Sequence, residues 1–233
     1  MLIRSGAVLC AAVAAVVIGA PHAMAAPSYQ AHWTLDEIGS DAAADVTGNG
    51  HDGVNHDVVG DGTGYVFNGT SSRVVVPHDA ALNSGAGDFS WGVTLSMTRA
   101  PSSGETYDVL RKGLAGVKGG DYKLEITSAS GKGKARCVFN SVLPNGKRAN
   151  IALAGSTKLA DGKQHMITCT KTSNAITVTV DSAKPQTKTI SGGLGTVSNT
   201  YDLALGAKAE PTAKSGFDWF EGELFDAWVG TGS

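Results

Sequence analysis

The sequence predicts an all-β chain folded as two antiparallel sheets packed face to face, a β-sandwich, and three observations carry that prediction. Apolar and polar residues alternate with period two in segment after segment, as they do in strands with one buried face. The 233 residues include 31 glycines but only 17% charged side chains, a balance that suits turns and strands better than a helical bundle. Turn signals separate the alternating runs: Thr47-Gly48-Asn49-Gly50, Asp61-Gly62, Pro144-Asn145-Gly146 and Asp161-Gly162. About a dozen short strands of this kind fit one sandwich spanning residues 26–233. A hydrophobic content of 42% excludes wholesale disorder. With 19 Lys+Arg against 21 Asp+Glu, no basic field exists to hold nucleic acid or an anionic membrane.

Taken in chain order, the first segment is expected to stay outside the fold. Residues 1–4 carry one positive charge, residues 7–20 are almost uninterruptedly apolar, and Ala23-Met24-Ala25 follows Pro21. That is the layout of a secretory signal peptide over residues 1–25, cleaved after Ala25, and it predicts a secreted monomer with no membrane insertion. A retained membrane anchor is the alternative, and the apolar run is short for a span of ~20 residues. Strands are then expected at 29–35, 64–67, 73–76 and 89–97, with a single helical turn at 80–82. In 89–97, Phe89, Trp91, Val93, Leu95 and Met97 point one way while Ser, Gly and Thr point the other. Further strands are expected at 121–126, 134–139, 150–153, 164–170, 175–180 and 201–205. The last run, 217–229, shifts its apolar parity near Gly222, which predicts a bulge. Removal of Cys10 with the signal leaves Cys137 and Cys169, an even number in an oxidising compartment. A disulfide between neighbouring strands is the expectation, with two free buried thiols as the competing reading.

Five segments then occur in a recognisable order: His32-Trp33-Thr34-Leu35-Asp36-Glu37, Asp45-Val46-Thr47-Gly48-Asn49-Gly50-His51-Asp52-Gly53, Phe67-Asn68-Gly69-Thr70-Ser71-Ser72, Asp88-Phe89-Ser90 and Gly222-Glu223-Leu224-Phe225-Asp226. Together they resemble the laminin G-like domains of bacterial secreted proteins, within the concanavalin A-like lectin/glucanase superfamily. The resemblance implies a curved, concanavalin A-like jelly-roll sandwich with loops clustered at its rims and a taste for carbohydrate. It also implies calcium held between the N-terminal segment and loops, largely by backbone carbonyls, with an aspartate from the last strand. Asp226 matches that aspartate, and Asp36 or Asp45 would supply a second. The pattern departs from the family at Phe225, which stands where a first acid is often found.

No acyl-transfer, zinc-protease or nucleotide-binding motif is present. Glu221-x-Glu223-x-x-Asp226 is similar to the catalytic Glu-x-Asp-x-x-Glu strand of retaining glucanases in the same superfamily. Such chemistry needs carboxyls about 5–5.5 Å apart, whereas on a regular strand Glu221 and Glu223 stand roughly 7 Å apart and Asp226 points away. Asp45-x-Thr47-x-Asn49-Gly50 opens like a calcium loop, but His56 occupies the position where such a loop closes on Glu. The candidate metal ligands are therefore Asp36, Asp45, Asn49 and Asp226, and capping of Asx turns is the competing account. Trp33, Trp91 and Trp228 fall in phase with core residues, which leaves Trp219 as the candidate sugar-stacking platform. Lys112, Asp121 and Arg148 are candidate rim donors and acceptors for a glycan. The reading is a secreted, non-catalytic module for carbohydrate or a glycoprotein surface. A glycoside hydrolase using Glu221, Glu223 and Asp226, or a protein-binding adhesion domain, are the alternatives.

Overall fold

The computed structural model describes residues 28–143, 145–210 and 216–232, so the expected signal peptide lies outside the described residues. Sixteen strands occur among them: β1 Ser28–Trp33, β2 Ala42–Ala43, β3 Gly53–His56, β4 Val59–Gly60, β5 Tyr65–Asn68, β6 Arg73–Val76, β7 Phe89–Ser96, β8 Thr106–Lys112, β9 Asp121–Thr127, β10 Lys134–Val142, β11 Arg148–Ala154, β12 Gln164–Lys171, β13 Ala175–Val180, β14 Gln186–Thr189, β15 Leu203–Leu205 and β16 Glu221–Thr231. One 3-10 turn, Ala80–Leu82, is capped by the Asp79 side chain. The first sheet runs β14-β13-β12-β7-β16-β5-β4, with β1 also on β16; the second runs β11-β10-β9-β8-β15-β6-β3-β2. All pairings between these strands are antiparallel.

The alternation seen in β7 is what closes the sandwich. Phe89, Trp91, Val93, Leu95 and Met97 are all buried between the sheets, and Trp91 packs on Tyr122 and Phe139 from the second sheet. On the other face of β7, Gly92 leaves room for an indole. A Cβ there would stand 2.7 Å from the Trp228 ring and 2.9 Å from the Ile167 carbonyl. Trp228 therefore lies on the outer face of the first sheet, beside Tyr29, while its neighbours Ala227 and Val229 fill the core. The expectation that Trp228 belongs to the core is corrected: it is buried, but from outside.

The bulge in β16 falls at Phe225 rather than Gly222. Leu224 pairs with Leu95 and Asp226 with Thr94, so Phe225 is the extra residue. Cross-strand partners share a face, which puts Asp226 opposite Thr94 on the same outer face as Glu223 opposite Ser96. The disulfide between Cys137 and Cys169 forms, with Cα atoms 5.7 Å apart. It joins β10 of the second sheet to β12 of the first, across the core rather than along neighbouring strands.

Candidate functional site

Three segments distant in sequence meet at one rim of the sandwich: Gly69 after β5, the loop from Arg99 to Tyr107 leading into β8, and Gly216 to Glu221 leading into β16. They line a groove of about 750 Å³. Backbone bonds anchor the last segment, since Asp108 N–H donates to the Asp218 carbonyl at 2.8 Å and Phe220 N–H to Gly206 at 2.8 Å. Phe220 points into the core against Phe67 and Tyr107. Phe217 and Trp219, two apart, therefore project together, their rings stacked with centroids 4.4 Å apart and planes 24° apart. Between them Asp218 takes a left-handed φ of 54°, and its carboxylate receives the Lys208 ammonium at 2.6 Å. The Arg73 guanidinium covers both rings, 5.2 Å from Phe217 and 5.7 Å from Trp219, at cation–π range.

Polar groups complete the groove. Glu221 Oε2 lies 3.2 Å from Arg99 Nη1 in a solvent-facing ion pair. The Tyr107 phenol is pushed up chiefly by burial, and further by the charges of Glu221 and Glu105 against that of Arg99. Glu105, Ser102 and Thr106 add acceptors and hydroxyls along the same wall. The arrangement offers a stacked pair of aromatic rings beside carboxylates and hydroxyls that can accept from, or donate to, a polyhydroxylated ligand.

Of the residues singled out from the sequence, Trp219 and Glu221 reach this groove. The expectation that Lys112 and Asp121 stand on the rim is corrected, because both are fully buried. Lys112 ends β8, roughly 20 Å along the strand from Thr106. Its ammonium donates to the Tyr201 carbonyl at 2.5 Å and to Asn199 at 3.3 Å, tying the segment before β15 to β8. Burial lowers its pKa to about 8, against the nearby charges of Asp202 and Asp79. Asp121 accepts from Asn140 at 2.9 Å within a charged layer on the outer side of the second sheet. There Asp108 takes Arg111 at 2.7 Å and Lys123 at 3.0 Å, and Glu125 takes Lys123 and Arg136. Arg148 is exposed on β11 and donates to the carbonyls of Gly116 and Val117.

Each of the four candidate calcium ligands is engaged by neighbouring protein groups. Asp45 Oδ1 accepts from His32 N–H, Thr47 N–H and the Thr47 hydroxyl, and Oδ2 accepts from His51 N–H. Burial alone would raise its pKa, but these bonds outweigh burial and hold it below the usual value. Asn49 donates its amide to the Gln30 carbonyl, Asp36 takes the Thr34 hydroxyl, and Asp226 Oδ2 lies 2.7 Å from His32 Nε2. Each oxygen set serves a different local contact. Among the described residues no three His, Cys, Asp or Glu side chains gather in one cluster.

The bulge brings Glu221, Glu223 and Asp226 onto one face, contrary to the expectation for Asp226 on a regular strand. Glu223 and Asp226 lie opposite Ser96 and Thr94, two positions apart along β7. Burial raises the Glu223 carboxyl, with Asp61 adding to it. Glu221 is engaged by Arg99 and Asp226 by His32.

No protein-family model matches the chain, and no curated protein matches it. Solved structures do. The fourth domain of the extracellular arabinanase AbnA from Geobacillus stearothermophilus, in complex with arabinotriose, aligns over 88% of this chain and 93% of that domain, with TM-score 0.59 and 14% identity. The binding domain of Paraclostridial Mosquitocidal Protein 1 aligns over 88% of this chain at TM-score 0.57 and 15% identity, and this chain spans about half (48%) of its length. Trypanosoma rangeli sialidase in complex with sialic acid aligns over 93% of this chain and 33% of its own, at TM-score 0.60 and 17% identity. The fold is a two-sheet antiparallel jelly-roll sandwich. At these identities the likeness establishes architecture alone, and a lectin-like sandwich hosts many activities.

Proposed function

We propose that the chain is a secreted, non-catalytic carbohydrate-binding module whose site is the Phe217–Trp219 groove. The stacked Phe217–Trp219 pair carries this reading: a rigid aromatic surface beside Glu221, Glu105 and Tyr107 matches a sugar's apolar face and its ring of hydroxyls. The arabinotriose complex of the AbnA domain and the ordered motifs resembling laminin G-like domains support the same ligand class and an extracellular setting. A glycan array followed by calorimetry on the residue 26–233 protein tests it. Trp219→Ala should weaken binding of any glycan found by about tenfold or more, the loss expected of an aromatic anchor. Because Trp219 is half-buried at a rim and outside the core cluster, the far-ultraviolet spectrum should stay that of a β protein. Absence of binding across the array, or full affinity in Trp219→Ala, would overturn the reading.

A further inference from the structure

The groove does not end at Glu221. The same side chain also lines a second hollow of about 400 Å³ on the outer face of the first sheet, with Val66, Asn68, Ser96, Thr98 and Glu223. Strand pairing builds this hollow: β16 lies between β5 and β7, so Glu223 stands opposite Val66 on one side and Ser96 on the other. Trp219, Glu221 and Glu223 alternate with Phe220, Gly222 and Leu224, and Phe220 and Leu224 are buried in the core. The first three therefore follow one another along the outer side, and Glu221 and Glu223 stand roughly 7 Å apart on the strand. Where the hollows join, the chain beside Glu221 is Gly69, with a left-handed φ of 75°. A Cβ there would stand 3.0 Å from the Glu221 Cβ, so no second side chain rises against Glu221 at that position.

The second hollow repeats the chemistry of the first. Val66 is 43% exposed, and Val59 opposite it on β4 is 64% exposed. This apolar spot adjoins the Ser96 and Thr98 hydroxyls and the Glu223 carboxylate. Glu221 is held by Arg99, whereas Glu223 has no hydrogen-bond or ion-pair partner among the described residues. A half-buried carboxylate without a donor carries a desolvation cost that a ligand hydroxyl can relieve. Resting on the glycan-binding reading above, we propose that the site takes an extended stretch of glycan chain, running from the Phe217–Trp219 platform over Glu221 into the hollow at Glu223. A lone terminal sugar would fill only the first half.

Calorimetry on the residue 26–233 protein tests this with arabino-, laminari- and cello-oligosaccharides from disaccharide to hexasaccharide. In the series that binds, the hexasaccharide should be held about thirtyfold tighter than the disaccharide. Glu223→Ala should cut that ratio by about tenfold, to what the extra registers of a longer chain supply by themselves. Because the ratio is taken within one protein, a reduced folded fraction cancels from it. Trp219→Ala should weaken every length. A ratio no larger in the natural protein than in Glu223→Ala would overturn the proposal and leave a site for one or two sugars at the platform. Binding to no member of any series, with none across the glycan array, would instead overturn the glycan-binding reading on which the proposal rests.

Discussion

A neutral imidazole has one N–H, yet both ring nitrogens of His165 meet carboxylates. Nδ1 lies 2.8 Å from Asp181 Oδ2, and Nε2 lies 3.1 Å from Asp161 Oδ1. Only the imidazolium can donate to both. Burial works against that charge, but the two aspartates outweigh it and raise the pKa above 6.5. The bridge joins the turn before β12 to the turn after β13, and Asp181 also accepts the Met166 N–H. A group whose folded pKa is raised stabilises fully below its unfolded value and loses that contribution as pH rises through the folded value. The melting temperature of the natural protein should therefore exceed that of His165→Gln by more at about pH 5.5 than at about pH 8.5. A difference independent of pH would mean that His165 holds the two turns in its neutral form. The same scale accounts for the bonds that Asp45 makes. Its alternating oxygens were legible, but a carboxylate that can take a cation can equally take four N–H and O–H donors. Which of these surrounds it depends on His32 and His51 backbone placed by tertiary pairing.

At the scale of the element, strands were readable where one face is apolar and hidden where the other face is filled with charge. β7 and β13 show clean alternation, whereas β8 carries Asp108, Arg111 and Lys112, which look like loop residues until their partners on β9 and β15 are in place. Short β2, β3, β4 and β14 offer too few residues for a period to appear. The bulge in β16 was expected from the shift of parity, yet its position depends on β7 across the sheet. That position decides whether three acids share a face, and so bears on catalysis. Glycoside hydrolysis needs one carboxyl to give a proton while a second, free carboxylate activates water or attacks. Burial raises the Glu223 carboxyl, but Asp226 is engaged by His32 and Glu221 by Arg99, which leaves no second carboxylate free. Incubation with arabinan, laminarin and lichenan should accordingly release no more reducing ends than Glu223→Ala does. Turnover that disappears in that variant would make β16 a catalytic strand.

Over the whole molecule, what the sequence could not reveal is which loops meet. Trp219 stood out by falling outside the core phase, but Tyr107, Arg99 and Glu105 lie more than a hundred residues earlier, and only the crossing of β8, β5 and β16 brings them beside it. The disulfide was legible for a different reason, since the two cysteines outside the expected signal peptide have one way to pair. Its course across the core gives it more to do than a link between neighbours would. β10 and β12 belong to different sheets, which are held together elsewhere by apolar packing. With 32 residues of sequence separation, the cross-link should stabilise by about 3–4 kcal/mol through the unfolded chain. At roughly 2–4 °C per kcal/mol for a chain of this size, reduction should lower the melting temperature by about 6–16 °C. Cys137→Ala with Cys169→Ala should fall at least as far, because both sulfurs are fully buried and their removal also leaves unfilled volume. Thiol titration of the folded, unreduced protein should find no alkylatable cysteine among residues 26–233. Coincident melting curves with and without reductant would mean that apolar packing alone sets the spacing of the two sheets.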